Sequence, residues 1–392
     1  MSTIVATPAR GMTAGLVTVV IVPQLGMSMI APGLGTMARD LGVSTAAMQY
    51  AMVAFMAGYA VSMLLAGVLS DRFDPVTVEL WGLGLFVLGS LACALAPNLS
   101  VLVVARFVQA LGGCMGTVVT RLVVRRSLAP DRHMGVLATL ATAIAITPCL
   151  APLLGAAVLD SLGWRATFAV VAIIGAFAAV LFRLACEPAN EGSPVSVDQV
   201  LGAYRESLGN RAFLHYAAAI GLAWLSYFIF ISCAPSPLQD GLGVDSVHYG
   251  LITAGAAAGY VTGTSLARRL ATRIGLDRCL RLAGLLGVSG GVLVVVSTLL
   301  WPAQPWALAG PVIVVLMGVG AAIPVCQAGL LKIDMSNPGV SSGLFFFLQM
   351  ISGAVYAGVV NLHPPSGLPG VAVLMLLPMI GLLALGLKAS RS

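Results

Sequence analysis

Charge is what this sequence lacks most. Its 392 residues include 20 Lys and Arg and 14 Asp and Glu, 9% in all, where soluble domains carry about 25%. So few charges cannot cover a water-facing surface, which excludes a soluble enzyme and a nucleic-acid-binding module. The acids are also poorly placed for buried chemistry. None of the fourteen lies near the middle of an apolar run, the nearest being Glu79 and Asp334 close to run ends, and His133, His215, His248 and His363 lie no deeper. A buried carboxylate is the usual proton carrier in an apolar interior, so no coupling residue is identified. The seven cysteines, Cys93, Cys114, Cys149, Cys186, Cys233, Cys279 and Cys326, stand singly without C-x-x-C or other ligand spacing. That excludes a disulfide scaffold and a thiolate metal centre, and the cysteines read as small buried apolar residues. With no cluster of His, Cys, Asp or Glu inside the runs, no metal, cofactor or catalytic centre is expected.

What remains is apolar: 59% hydrophobic residues and a mean hydropathy of +1.01. Six runs lie at 15–36, 46–69, 76–96, 99–124, 135–159 and 167–185, and six more at 212–234, 249–267, 280–300, 306–330, 343–361 and 368–387. Each is close to the roughly 20 residues a helix needs to cross a bilayer, whereas a barrel would show alternating strands of about ten. The expected fold is an all-α integral membrane protein of twelve transmembrane helices. Residues 1–10 are polar with one Arg and read as a tail rather than a signal peptide.

The net charge of +6 is explained by loop asymmetry. With the N-terminus in the cytoplasm, Arg72, the groups Arg121, Arg125, Arg126 and Arg132, then Arg205 and Arg211, then Arg268, Arg269, Arg273, Arg278 and Arg281, and finally Lys332, Lys388 and Arg391 fall on that side. The opposite loops keep Arg39 and Arg165. Cytoplasmic loops collect Lys and Arg, so both termini are expected in the cytoplasm and the protein in a bacterial inner membrane.

The polar stretch 187–211, with Pro188, Gly192, Ser193 and Pro194, divides the chain into bundles at 1–186 and 212–392 joined by a cytoplasmic interdomain loop. A faint repeat, GVLSDRFDPVTVE at 67–79 and GTSLARRLATRIG at 263–275, is offset by 196 residues. Two pseudo-symmetric six-helix bundles are the architecture of an alternating-access transporter.

Arg106 lies well inside the fourth run, with Gln109 on the same helical face. A cation at that depth is costly unless it faces protein or water, so it is either a substrate contact or a structural Arg held by carbonyls. Gln24, Ser28, Tyr59, Trp224, Tyr227, Phe228, Gln327, Phe345 and Gln349 add polar and aromatic groups within runs. As a set they suit an amphipathic organic ligand. Gly67, Asp71 and Arg72 sit at a helix end where they can latch one conformation. Pro148, Pro152 and Gly155 suggest a bent helix that gates, or a passive kink.

At these motifs the chain resembles the major facilitator superfamily, and within it the twelve-span drug:proton antiporter branch of the Bcr/CflA kind. DLGVSTAAMQ at 40–49 resembles the branch's entry into span two, and GVLSDRF at 67–73 the superfamily loop motif. Arg106, Phe107, Gln109 and Gly112 resemble the fourth-span motif. Pro148, Ala151, Pro152 and Gly155 with Gly163, Trp164, Arg165 and Phe168 resemble the fifth-span region and the loop after it. Three positions depart. Asp74, Pro75 and Val76 stand where the loop motif continues with Gly and basic residues, Thr147 and Ala151 replace glycines, and Ser28 stands where many branch members carry an acid.

The resemblance implies a monomeric secondary transporter in the lipid bilayer that exports small amphipathic organic molecules, with protons as the coupling ion. An unpaired Arg106 and the missing acid at Ser28 leave an alternative, a dedicated exporter, importer or facilitator of a neutral or anionic metabolite such as a siderophore or antibiotic. Outside transport, the alternative is a membrane receptor or assembly partner.

Overall fold

A computed structural model describes residues 9–187, 197–234, 236–244, 246–362 and 367–388, and in it the apolar runs are helices, four of which begin at side-chain caps. The first eight are α1 (Ala9–Ser28), α2 (Leu34–Asp40), α3 (Thr45–Arg72), α4 (Pro75–Ala94), α5 (Leu99–Gly113), α6 (Gly116–Ser127), α7 (Pro130–Leu162) and α8 (Trp164–Ala185). The Ser44 hydroxyl accepts from Ala47 N at 3.1 Å to start α3, and Asn98 Oδ1 accepts from Val101 N at 3.0 Å to start α5. Such side chains satisfy amides that a helix start leaves without partners.

After them come α9 (Val197–Gly209), α10 (Arg211–Cys233), α11 (Ser246–Ile274), α12 (Leu276–Leu300), α13 (Trp306–Lys332), α14 (Pro338–Leu362) and α15 (Gly367–Lys388). Among the described residues ten helical stretches are long and apolar enough to cross a membrane, α5 and α6 counting as one, Leu99–Ser127. With the 29-residue α11 and the 25-residue α14 they match the twelve expected spans.

Several boundaries differ from the hydropathy reading. The first span stops at Ser28, and its expected tail is a 3-10 turn, Ala31–Gly33, followed by α2. The fourth is interrupted by a turn at Cys114 and Met115. The fifth starts at Pro130 and runs unbroken through Pro148 and Pro152. Of the polar stretch 187–211, residues 188–196, with Pro188, Gly192, Ser193 and Pro194, lie outside the described residues, as does Arg391; 197–209 is helix.

The caps also correct the internal repeat. Gly42 and Gly243 have φ of 65° and 66° in the turns before α3 and α11, and Val43 and Val244 donate back to Ala38 O and Leu238 O at 2.9 and 3.0 Å. Asp74 and Gly275 are the N-caps of α4 and α12. Both pairs are 201 residues apart, where letter matching suggests 196.

Compactness divides the chain into two units that cut across the sequence halves. One comprises Met1–Leu128, Leu150–Glu206 and Met335–Phe347, the other Ala129–Cys149, Ser207–Asp334 and Leu348–Ser392. In the first, α3 and α8 pack on either side of α4 and α5. Near one end Ile30, Met37, Met48, Cys93, Leu102, Trp164 and Phe168 form a core. In the second, α12 and α11 both pack on α13, and α15 joins α12 to α10. Small residues set these approaches, as they do where lipid gives helices no hydrophobic reason to associate. A Cβ on Gly318 would lie 2.6 Å from Gly287 N, and one on Gly284 2.7 Å from Leu383 Cα.

Candidate functional site

The cation expected to face substrate is enclosed by its own unit. Arg106 on α5 has no exposed surface. Its Nη1 donates to Gly26 O at 2.8 Å and to Gln109 Oε1 at 2.6 Å, and its Nη2 lies 3.9 Å from Met52 Sδ. The guanidinium carbon stands 4.2 Å from the Phe55 ring centre, a cation–π contact. Gln109 Nε2 passes the chain on to Ser90 Oγ at 2.8 Å, which donates to Phe86 O at 2.7 Å. The network ties α1, α4 and α5 together around a cation with no carboxylate partner among the described residues. Arg106 and Gln109 therefore come together as their spacing requires, but none of the Arg106 hydrogen bonds goes to Gln24, Ser28 or Tyr59. This is the geometry of the structural alternative, an Arg held in part by a carbonyl.

Gln24 and Ser28 are half-buried on α1. Tyr59 on α3 is buried, with its hydroxyl 3.3 Å from that of Thr117 on α6. In the second unit Trp224, Tyr227 and Phe228 on α10 form a stack with Tyr260 of α11. Ring centres are 5.4 Å apart for Trp224 and Tyr227, 6.2 Å for Trp224 and Phe228, and 5.9 Å for Tyr227 and Tyr260. Gly353 of α14 lies beneath the indole, where a Cβ would sit 2.7 Å from Trp224 Nε1. All three α10 rings keep part of their surface exposed. Gln327 on α13 and Phe345 and Gln349 on α14 are buried, and Gln349 Oε1 has no hydrogen-bond partner.

At the end of α3 the loop-motif residues do different jobs. Asp71 Oδ1 and Oδ2 accept from Gly339 N and Val340 N, each at 2.7 Å, at the start of α14. Gly67 makes the approach possible, since its Cβ would lie 2.5 Å from Gly339 O. Arg72 is exposed and lies over Phe73, its guanidinium 5.4 Å from the ring centre. The departure at Asp74 has its own role. Its carboxylate caps α4 through Val76 N and Thr77 N at 2.9 and 3.2 Å and pairs with Arg126 at the end of α6.

On α7, Thr147 Oγ1 donates to Ala143 O at 2.7 Å in the turn that Pro148 deprives of an amide. Gly155 lies against the chain just past α1, its Cβ 2.0 Å from Met29 O. At the other end of this unit, Asp40 joins two of the motifs. Arg165 Nη1 and Trp164 Nε1 donate to Asp40 Oδ2 at 2.5 and 2.9 Å. The Arg165 bond, followed by that of Trp164, holds the Asp40 carboxyl below its ordinary 3.8.

Two buried charged residues escaped the sequence reading. Arg121, grouped there with loop cations, is 1% exposed on α6, donating to Thr117 O at 2.8 Å and Thr120 Oγ1 at 2.9 Å, with its guanidinium 5.0 Å from the Phe346 ring centre. Glu79 on α4 has no exposed surface, and neither carboxyl oxygen has a hydrogen-bond partner. The signal that could have found both is the glycine-rich stretch of the fourth run, Gly112, Gly113 and Gly116, which marks close helix approach.

Comparison with known proteins agrees with this architecture. The family model for the Major Facilitator Superfamily matches residues 16–357. The chain is 25% identical over 381 residues, 95% of itself and 94% of the relative, to an uncharacterized MFS-type transporter, YdgK, of Bacillus subtilis. It is 28% identical over 323 residues, 80% of itself and 76% of the relative, to the multidrug transporter MdfA of Yersinia pestis. With the multidrug resistance protein MdtL of Escherichia coli it shares 27% over 352 residues, 89% of itself and 88% of the relative. Among solved structures, a bacterial homologue of the iron transporter ferroportin in an outward-facing state superposes with a TM-score of 0.79 at 15% identity, covering 98% of this chain and 99% of that one. The proton:xylose symporter XylE superposes with a TM-score of 0.77 at 13% identity, covering 97% and 95%. The chain belongs to the major facilitator superfamily, a family of multi-pass membrane transporters of small molecules and not of enzymes.

Proposed function

We propose that this transporter exports small amphipathic organic molecules across a bacterial inner membrane by alternating access, as a monomer with both termini in the cytoplasm and with protons as the coupling ion. The observation that carries the substrate class is the aromatic stack of Trp224, Tyr227, Phe228 and Tyr260. Its α10 members are aromatic, partly exposed and carry few polar groups, which suits organic ligands of varied shape. Relatives named as multidrug transporters support the same class.

In this reading the sequence halves 1–186 and 212–392 are the moving bodies. Gly67 and Asp71 latch α3 to α14, while Arg72 lies beside the latch over Phe73. Pro148, Pro152 and Gly155 form the flexing part of α7. Gln24, Ser28, Tyr59, Gln327, Phe345 and Gln349 complete the substrate-binding set, with Arg106 and Gln109 holding its first-half wall.

A second reading is favoured by Ser28, where many drug antiporters carry an acid: a dedicated carrier of a neutral or anionic metabolite. Proteoliposome flux under an imposed proton gradient separates the two, with tetraphenylphosphonium, chloramphenicol and benzoate as cationic, neutral and anionic probes. Gradient-stimulated movement of the cation, reduced in Trp224→Ala, supports the multidrug reading. Movement of benzoate alone supports the second.

A further inference from the structure

Glu79 on α4 is an acid with no exposed surface. Both of its oxygens lack a hydrogen-bond partner. Among the described residues no Arg or Lys pairs with it; in its unit Asp74 pairs with Arg126 and Asp40 with Arg165. The buried guanidinium groups are held by other acceptors, Arg106 by Gly26 and Gln109 and Arg121 by Thr117 and Thr120.

The surroundings leave just enough room for the carboxyl. Its Oε1 lies over Gly116, the first residue of α6, where a Cβ would come within 2.9 Å of that oxygen and 2.3 Å of Val19 Cγ1. The amides of the helix start are turned to other acceptors: Thr117 N donates to Cys114 O at 3.2 Å and Val118 N to Met115 O at 3.0 Å. The repeat supplies an internal comparison. The 201-residue offset of the caps carries Glu79 to Leu280, equally without exposed surface. An apolar side chain fills this slot in the second half, so packing does not demand an acid in the first.

We propose that Glu79 is a proton-binding site of the transporter, loaded in the sealed arrangement described above and emptied when the break between α5 and α6 at Cys114 and Met115 opens. The inference rests on the transport reading and names its coupling residue. Unloading breaks the carboxyl O–H bond and passes the proton to a water molecule admitted at the break. The carboxylate left behind faces the amino-terminal end of α6, whose amides and dipole attract an anion once their present acceptors move away; loading reverses the step.

The charged and titratable groups around it are consistent with this. Val19 of α1 meets it over Gly116 and Cys114 at the break interacts with it; other buried titratable groups of the helices in this unit are Tyr59 on α3, Arg106 on α5 and Arg121 on α6. On α8 the cations Arg165 and Arg183 are exposed, and none of these helices adds a second acid within its buried part.

Infrared difference spectroscopy on the purified full-length protein tests the site directly. At neutral pH the native protein is expected to show the C=O stretch of a protonated carboxyl, shifting in D2O and absent from Glu79→Gln. Glu79→Leu, which copies Leu280, controls for folding through its elution profile. No such band, or a band that persists in Glu79→Gln, overturns the assignment. In proteoliposomes, gradient stimulation of tetraphenylphosphonium, chloramphenicol or benzoate flux is expected in the native protein and lost in both variants. Stimulation that survives in both overturns the coupling role. A native protein that moves none of the three probes overturns the transport reading instead, while the infrared band still decides the proton site.

Discussion

Asp71 and Gly339 are 268 residues apart in sequence and 2.7 Å apart as acceptor and donor. Together with the bond to Val340 N, also 2.7 Å, the Asp71 carboxylate acts as a capping group supplied from another helix. A helix start presents free amides and partial positive charge, and a carboxylate answers both. Asp71→Ala is expected to cost about 1–2 kcal/mol, the range of a lost cap. Asp71→Asn, which keeps one acceptor without the charge, should lie between it and the native protein. Thermal unfolding in detergent checks that order, and an Asn variant no more stable than the Ala variant would show that charge carries the whole effect.

Glycines in this fold differ sharply in what they tolerate. A Cβ on Gly67 would meet Gly339 O at 2.5 Å and one on Gly155 Met29 O at 2.0 Å, whereas one on Gly84 meets nothing within 4 Å. Gly67→Ala and Gly155→Ala must push backbones apart and are expected to cost about 1–3 kcal/mol each. Gly84→Ala is expected to be neutral or to stabilise by up to about 1 kcal/mol through helix propensity. Melting temperatures of the three variants, measured side by side, check the contrast; equal shifts would refute it.

Arg106→Ala is expected to destabilise the protein as well as impair transport, because it removes the donor to Gly26 O and Gln109 Oε1 and empties the space above Phe55. A loss of about 2–4 kcal/mol combines an opened cavity with unpaired acceptors. Parallel measurement of unfolding and of probe flux separates the effects. Native stability with abolished flux would favour Arg106 as a substrate contact.

The Asp40–Arg165 pair makes stability pH-dependent at the end of the molecule where α2 meets α8. The folded-state pKa of Asp40 is lowered by Arg165 and Trp164, so its contribution is fully present above the ordinary value of 3.8. It is lost as pH falls through the lower folded value. Arg165→Gln should therefore lower stability at neutral pH and leave a smaller difference from the native protein in strong acid. Both groups are about half exposed, 46% and 48%, so added salt should also shrink the gap.

The spans were legible because burial in lipid forces runs of apolar residues, and the caps Ser44, Asp74, Asn98 and Asn210 mark where four of them begin. The motifs single out Asp40 on the one hand and Trp164 and Arg165 on the other, without any sign that they touch. What hydropathy could not reveal is which side of a span faces protein. Glu79 and Arg121 read as near the water because other charges lie close to them in sequence, Asp71, Arg72 and Asp74 before the one and Arg125 and Arg126 after the other. Their burial is decided by partners far along the chain, Gly116 and Val19 for one and Phe346 for the other. Arg106 had the opposite fate, since its depth was legible but the carbonyl of Gly26, supplied by another helix, was not.

The twin turns at Gly42 and Gly243 give the molecule an internal control. Both have a left-handed φ, 65° and 66°, and a Cβ at either would meet nothing within 4 Å. Alanine at the two positions therefore imposes the same backbone strain, about 1 kcal/mol, with no difference in crowding. Any difference in outcome between Gly42→Ala and Gly243→Ala measures how unequally the two halves of the repeat share the labour of holding the fold together.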